Sequence, residues 1–139
     1  MDLPAPEKPD VLLRVPADSA YVSVLRTMSA GLAARLDFTV DDIEDLRIAV
    51  GEACALVLPE AAPGEDLQAE FRLHPGTLTV SVSVPSRGPT APDQDSFAWQ
   101  VLSTLSTSTA ARATDDRYEV TFVTESSIPP VEGRSGALR

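Results

Sequence analysis

Few side chains in this sequence have both the type and the setting to do chemistry, and the clearest is Glu52, in the stretch DDIEDLRIAVGEACALVL at residues 41–58. That stretch reads as an amphipathic helix, with Glu52 set in an otherwise apolar, small-residue face. The single cysteine, Cys54, excludes an internal disulfide and a cysteine-rich metal site; flanked by alanines, it reads as a small buried core residue. The lone histidine, His74, lies in His74-Pro75-Gly76, which is turn chemistry between two strands. Neither has a partner at catalytic or ligand spacing, so no metal site is expected.

The elements that must position Glu52 can be read in order. Residues 1–9 are polar with three prolines and are expected to be a disordered lead. A first strand at 11–15 ends at Pro16. Asp18 or Ser19 caps a helix whose stripe of Tyr21, Val24, Leu25, Met28 and Leu32 runs to about Leu36. Thr39, Asp41 and Asp42 favour the next helix N-terminus, and Ile43, Leu46, Ala49, Val50, Ala53 and Val57 form its inner face. Strands at 67–73 and 78–84 make an antiparallel hairpin about the His74 turn. After a proline-rich loop at 85–94, Asp95 or Ser96 caps a third helix from Phe97 to about Thr107, with Phe97, Val101, Leu102 and Leu105 on one side and Trp99 nearby. A short strand near 110–114, a last strand at 118–124 and a flexible tail at 126–139 complete the chain.

Bulk properties narrow the function classes. A chain of 139 residues with 43% hydrophobic and 23% charged residues fits one globular domain with a single core. It holds no apolar run of the roughly 18 residues a membrane span requires, and its acidic start lacks the layout of a signal peptide, so a cytoplasmic protein is expected. A net charge of −10 repels nucleic acid and anionic membranes. It serves solubility, and it also suits docking on a basic protein surface.

The element order describes an α+β two-layer sandwich, with helices on one face of a mixed, mainly antiparallel sheet. Across residues 10–125 this arrangement and the 41–58 helix resemble the RsbW/SpoIIAB-type anti-sigma serine kinases, which have the GHKL (Bergerat) histidine-kinase-like ATPase fold. Their motif helix reads roughly (D/E)-I-K-x-A-V-x-E-A-x-x-N, in which the glutamate polarises the attacking hydroxyl and the asparagine ligates magnesium. Here Asp45, Leu46, Arg47, Ala49, Val50, Glu52 and Ala53 follow that pattern, but Leu56 stands where the asparagine would be. The family's D-x-G-x-G adenine loop is replaced by PSRGPTAPDQD at 85–95, and no glycine occurs between Gly88 and Gly133 to form a phosphate-binding lid.

The resemblance therefore implies a pseudokinase with Glu52 as a vestigial base and with neither ATP nor magnesium as cofactor. It implies sequestration of a SigB/SigF-like sigma factor in a stress-response, partner-switching circuit, with release by a STAS-domain anti-anti-sigma protein. Alignment through Glu52 puts Arg26 at the family's partner-facing arginine, and the apolar face with Tyr21, Val22 and Val24 is where a homodimer is expected. Phe97 and Trp99 are expected in the core or filling the lid, with a partner-contact surface as the alternative, since aromatics are frequent anchors. Two alternatives are an active ATP-dependent serine kinase using Glu52, and a ligand sensor using an emptied cleft made greasier by Leu56 and Cys54.

Overall fold

The computed structural model describes residues 8–88 and 93–128. Residues 1–7, 89–92 and 129–139, which hold most of the expected lead and tail and part of the expected adenine-loop position, lie outside the described residues. The elements are β1 (Val11–Pro16), α1 (Val22–Arg35), α2 (Val40–Val57), β2 (Asp66–His74), β3 (Thr77–Pro85), α3 (Phe97–Leu105), β4 (Ser108–Ala113) and β5 (Arg117–Glu125). The sheet order is β1-β2-β3-β5-β4.

Every strand pairing among the described residues is antiparallel. This corrects the expectation of a mixed sheet. β1 returns to the sheet beside β2, and β4 lies beyond β5 rather than joining β3, so no parallel neighbours arise. β4 begins at Ser108, earlier than expected, because Ser106 already takes an extended backbone (φ −119°, ψ 156°) and ends α3 at Leu105.

α2 is the middle helix, packed against α1 on one side and α3 on the other, over the central strands β3 and β5. Those strands present Leu78, Val80, Val82, Val84, Tyr118, Val120 and Phe122 to the core, all nearly or fully buried. The opposite face of the same strands is polar: Ser81 and Thr121 share a hydroxyl hydrogen bond of 2.8 Å, and Arg117 donates to Ser83 Oγ through Nη2 at 2.9 Å. A period of two thus divides β3 between an apolar face and a polar one, whose Ser81 and Ser83 are themselves buried and hydrogen-bonded.

Local chemistry explains the helix ends. Asp37 adopts φ 62°, a left-handed conformation that aspartate tolerates better than most residues. The backbone then closes α1 with Asp37 N–H on the Ala34 carbonyl (3.2 Å) and Phe38 N–H on the Ala33 carbonyl (3.0 Å), the two bonds of a Schellman motif. Phe38, just beyond, is buried. At the start of α2, Asp42 N–H donates to Thr39 Oγ1 (3.1 Å) and Thr39 N–H to Asp42 Oδ2 (3.2 Å), a reciprocal capping box. The hairpin between β2 and β3 turns on Pro75 and Gly76, the latter at φ 73°, where a side chain would strain the backbone.

The buried side of α1 runs Val22, Leu25, Ser29 and Ala33. Relative to the expected stripe it is rotated, leaving Met28 and Leu32 only partly buried. The small residues at 29 and 33 let the helix approach its neighbours closely, and Ser29 satisfies its hydroxyl by donating to the Leu25 carbonyl at 2.7 Å. Among the described residues no helix is long and apolar enough to cross a membrane.

Candidate functional site

Glu44, Ile48, Glu52 and Leu56 are spaced four apart on α2 and therefore form one ridge along the helix. Glu44, Ile48 and Glu52 line a shallow depression with Arg47 of the same helix and Arg26 from α1. The structure thus brings together the two side chains singled out in the sequence, Arg26 and Glu52, and adds Glu44, Arg47 and Ile48. The added three share the i, i+4 spacing of Glu52 or flank it, a signal present in the sequence but indistinguishable there from an ordinary solvated helix face.

Arg26 is half-buried and lies across the seam between the helices, its guanidinium against Gly51. Among the described residues it makes no hydrogen bond or ion pair, even though two carboxylates line the same depression. Its charge is also felt below the surface. Burial pushes the Cys54 thiol up to about 12, and the positive charge of Arg26 offsets part of that rise. Cys54 is fully buried, as expected for a core residue, and so it does not line an open cleft as the ligand-sensor alternative supposed.

Leu56 occupies the position where the resemblance would require a metal-ligating oxygen. Its side chain is hydrocarbon, half-buried and packed against the core, with no lone pair to offer a cation. The described part of the loop after β3 carries one glycine, Gly88, at φ 67°. At Leu56, then, the helix offers a hydrocarbon side chain and no oxygen to a metal ion.

Beside the depression, α2 and α3 form a second, more apolar groove lined by Ile48, Phe97, Gln100, Val101, Thr104 and Leu105. Phe97 is 78% exposed, which corrects its assignment to the core or a filled lid. As the first residue of α3 it has no preceding helical turn to lean on, whereas Leu102, one turn further in, is fully buried. Trp99 is half-buried.

Of the three residues expected on a self-association face, Val22 is buried at 8% exposure and belongs to the core. Tyr21 and Val24, at 39% and 42%, do present surface. The correction to Val22 has the same origin as the rotated α1 stripe: small Ser29 and Ala33, which hydropathy does not mark, share the buried face with Val22 and Leu25.

No family model matches the sequence. The chain is similar to a protein named serine-protein kinase RsbW from Bacillus thuringiensis (strain Al Hakam), 34% identical over 73 residues, which is 51% of this chain and 46% of that protein. It is likewise similar to the RsbW serine-protein kinase of Halalkalibacterium halodurans, 40% identical over 72 residues, 51% of this chain and 44% of that protein. The matched stretch therefore spans less than half the length of these curated relatives. In structure the chain resembles the crystal structure of the RsbU and RsbW domains of Rv1364c from Mycobacterium tuberculosis. There the TM-score is 0.63 at 16% identity, over 88% of this chain and 34% of that one. The fold is of the GHKL type, and the likeness to RsbW-type proteins read from the Glu52 helix extends to sequence relatives and to architecture alike.

Proposed function

We propose that this chain is a partner-switching anti-sigma factor that holds an alternative, SigB/SigF-like sigma factor by contact, gives it up to a STAS-domain anti-anti-sigma protein, and does so without kinase activity. The observation that carries this reading is Leu56 in the position of the metal ligand, on a helix that otherwise keeps the RsbW-type pattern through Glu52. Phosphoryl transfer depends almost wholly on electrostatic stabilisation and positioning, so replacing a metal-binding amide by a hydrocarbon removes a main contributor. Glu52 is then a residue of the surface rather than a working base, and neither ATP nor magnesium is required. Arg26, whose donors are not taken up by any described residue, is the proposed contact to both partners. The chain acts as a cytoplasmic homodimer, with Tyr21 and Val24 on the self-association face, and touches neither nucleic acid nor membrane.

The test is titration of the purified chain with sigma factors and STAS-domain proteins from its own genome, alongside calorimetric titration with Mg-ATP and Mg-ADP. Capture of a sigma factor and its displacement by a STAS protein, both indifferent to nucleotide, are the expected results. The kinase alternative is favoured by the curated relatives, which are named serine-protein kinases, and by the retained Glu52. Magnesium-dependent ATP binding with phosphorylation of the STAS partner would replace our reading with that one.

A further inference from the structure

Gly51 sits inside α2, an 18-residue helix in which nothing about the backbone calls for glycine. Its φ is not in the left-handed region, unlike those of Gly64, Gly76 and Gly88. In a helix interior glycine is disfavoured relative to alanine because it has more conformational freedom to lose. The reason for it lies across the helix seam. A Cβ built at Gly51 falls inside contact distance of Arg26 Nη2 and only 3.2 Å from both Cζ and Nε of the same side chain. Three atoms of the guanidinium group therefore occupy the space where the side chain of residue 51 would be. Gly31, in the interior of α1, offers the contrast: an added Cβ there meets nothing within 4 Å.

No carboxylate holds Arg26 in this pose, since among the described residues it has no ion pair or hydrogen bond. What the group lies against is a helix surface left bare at one residue. We propose that Gly51 is the positioning residue for Arg26: by lacking a side chain it seats the guanidinium flat across the α1–α2 seam and leaves its N–H donors available to a partner. The inference rests on the reading of Arg26 as a partner contact and names the residue that sets its orientation. Gly51→Ala should leave the helix intact, because alanine is the better helix former and the displaced atoms are the far end of a flexible chain. It should at the same time lift Arg26 out of its seat.

The test needs two readouts. The first is modification of the whole chain by phenylglyoxal, followed residue by residue by mass spectrometry, with the exposed Arg112 as internal reference. Arg26 should react several-fold faster in Gly51→Ala than in the wild-type chain while Arg112 does not change. The second is affinity for the sigma factor captured by the wild-type chain. Gly51→Ala should weaken it about tenfold, and adding Gly51→Ala to Arg26→Ala should cause no further loss, as expected of residues acting as one unit.

An unchanged Arg26 modification rate in a folded Gly51→Ala variant would overturn the proposal, as would faster modification with unchanged affinity where Arg26→Ala weakens binding. If Arg26→Ala itself leaves affinity intact, the partner reading of Arg26 fails and the proposal with it, while the phenylglyoxal rates still report whether the seat exists. Should Gly51→Ala not fold, recovery of the fold in the Arg26→Ala/Gly51→Ala double variant would establish the crowding directly. Failure of that variant as well would overturn the seat.

Discussion

Ser127, just past β5, is tied to Asp42 in the first turn of α2 across 85 residues of sequence: its backbone N–H and its hydroxyl both donate to Asp42 Oδ2, at 2.9 and 3.0 Å. The same oxygen accepts from the Thr39 N–H, so one carboxylate both caps the motif helix and fastens the chain that leaves the sheet. Ser126 is held as well, its N–H on the Gly76 carbonyl at 2.8 Å. The first residues of the expected flexible tail are thus part of the fold.

This clamp should titrate. Burial pushes the Asp42 carboxyl up, but the bonds from Ser127 and Thr39 outweigh it and hold the group below its ordinary value of 3.8. A depressed carboxylate stabilises the fold above the unfolded pKa, and that contribution is lost as pH falls through the lowered folded value. Asp42→Asn should melt below the wild-type chain at pH 7, and the gap should close on acidification below about 4. A gap that stays constant down to pH 2 would show that the clamp does not titrate. Thr39→Ala, which removes the cap hydroxyl alone, should cost about 1 kcal/mol in urea unfolding.

Cys54 should be inert in the folded protein. With its thiol pushed up by burial to about 12, almost no thiolate exists at pH 8, and iodoacetamide should label the chain only once urea has unfolded it. Because this group is raised, its contribution to stability is full below the ordinary value of 9.0 and declines as pH rises from there toward about 12. Cys54→Ser places a hydroxyl in the same fully buried position and should cost about 1–3 kcal/mol where it finds no partner. Rapid native labelling would contradict the burial of Cys54.

Gly31→Ala should stabilise the chain. The residue is exposed within α1, an added Cβ meets nothing within 4 Å, and the helix gains the difference in propensity, about 0.5–1 kcal/mol. A rise in the urea midpoint with unchanged slope is the expected signature. No rise would mean that the α1 surface around Gly31 is engaged by another copy or another element.

On α3, truncation should separate the two faces. Leu102→Ala opens the core beneath α2 and should cost about 2–5 kcal/mol. Phe97→Ala, at 78% exposure, should change stability by no more than about 0.5 kcal/mol. A large loss at Phe97 would restore it to the core, whereas a neutral effect combined with weaker partner capture would place it on a contact surface.

The sequence by itself determined what depends on near neighbours along the chain. Thr39 and Asp42 are three residues apart, so their reciprocal capping follows from local geometry. Alternation along β2 and β3 and the Pro75-Gly76 turn fix a hairpin without help from the rest of the molecule. Glu52 with its flanking small residues, and Leu56 four positions on, are legible for the same reason, since helical spacing alone places them on one ridge.

Tertiary structure decided whatever depends on which surface arrives opposite. Apolar periodicity could not tell Val22, which is buried, from Val24, which is exposed, because small Ser29 and Ala33, not the larger Met28 and Leu32, carry the buried stripe further along α1. It placed Phe97 inside because hydropathy does not register that the first residue of a helix has no turn beneath it. Gly51 gave no signal at all. A bare helix position has meaning only once α1 has laid Arg26 across it, and that contact joins residues 25 positions apart that no local rule connects.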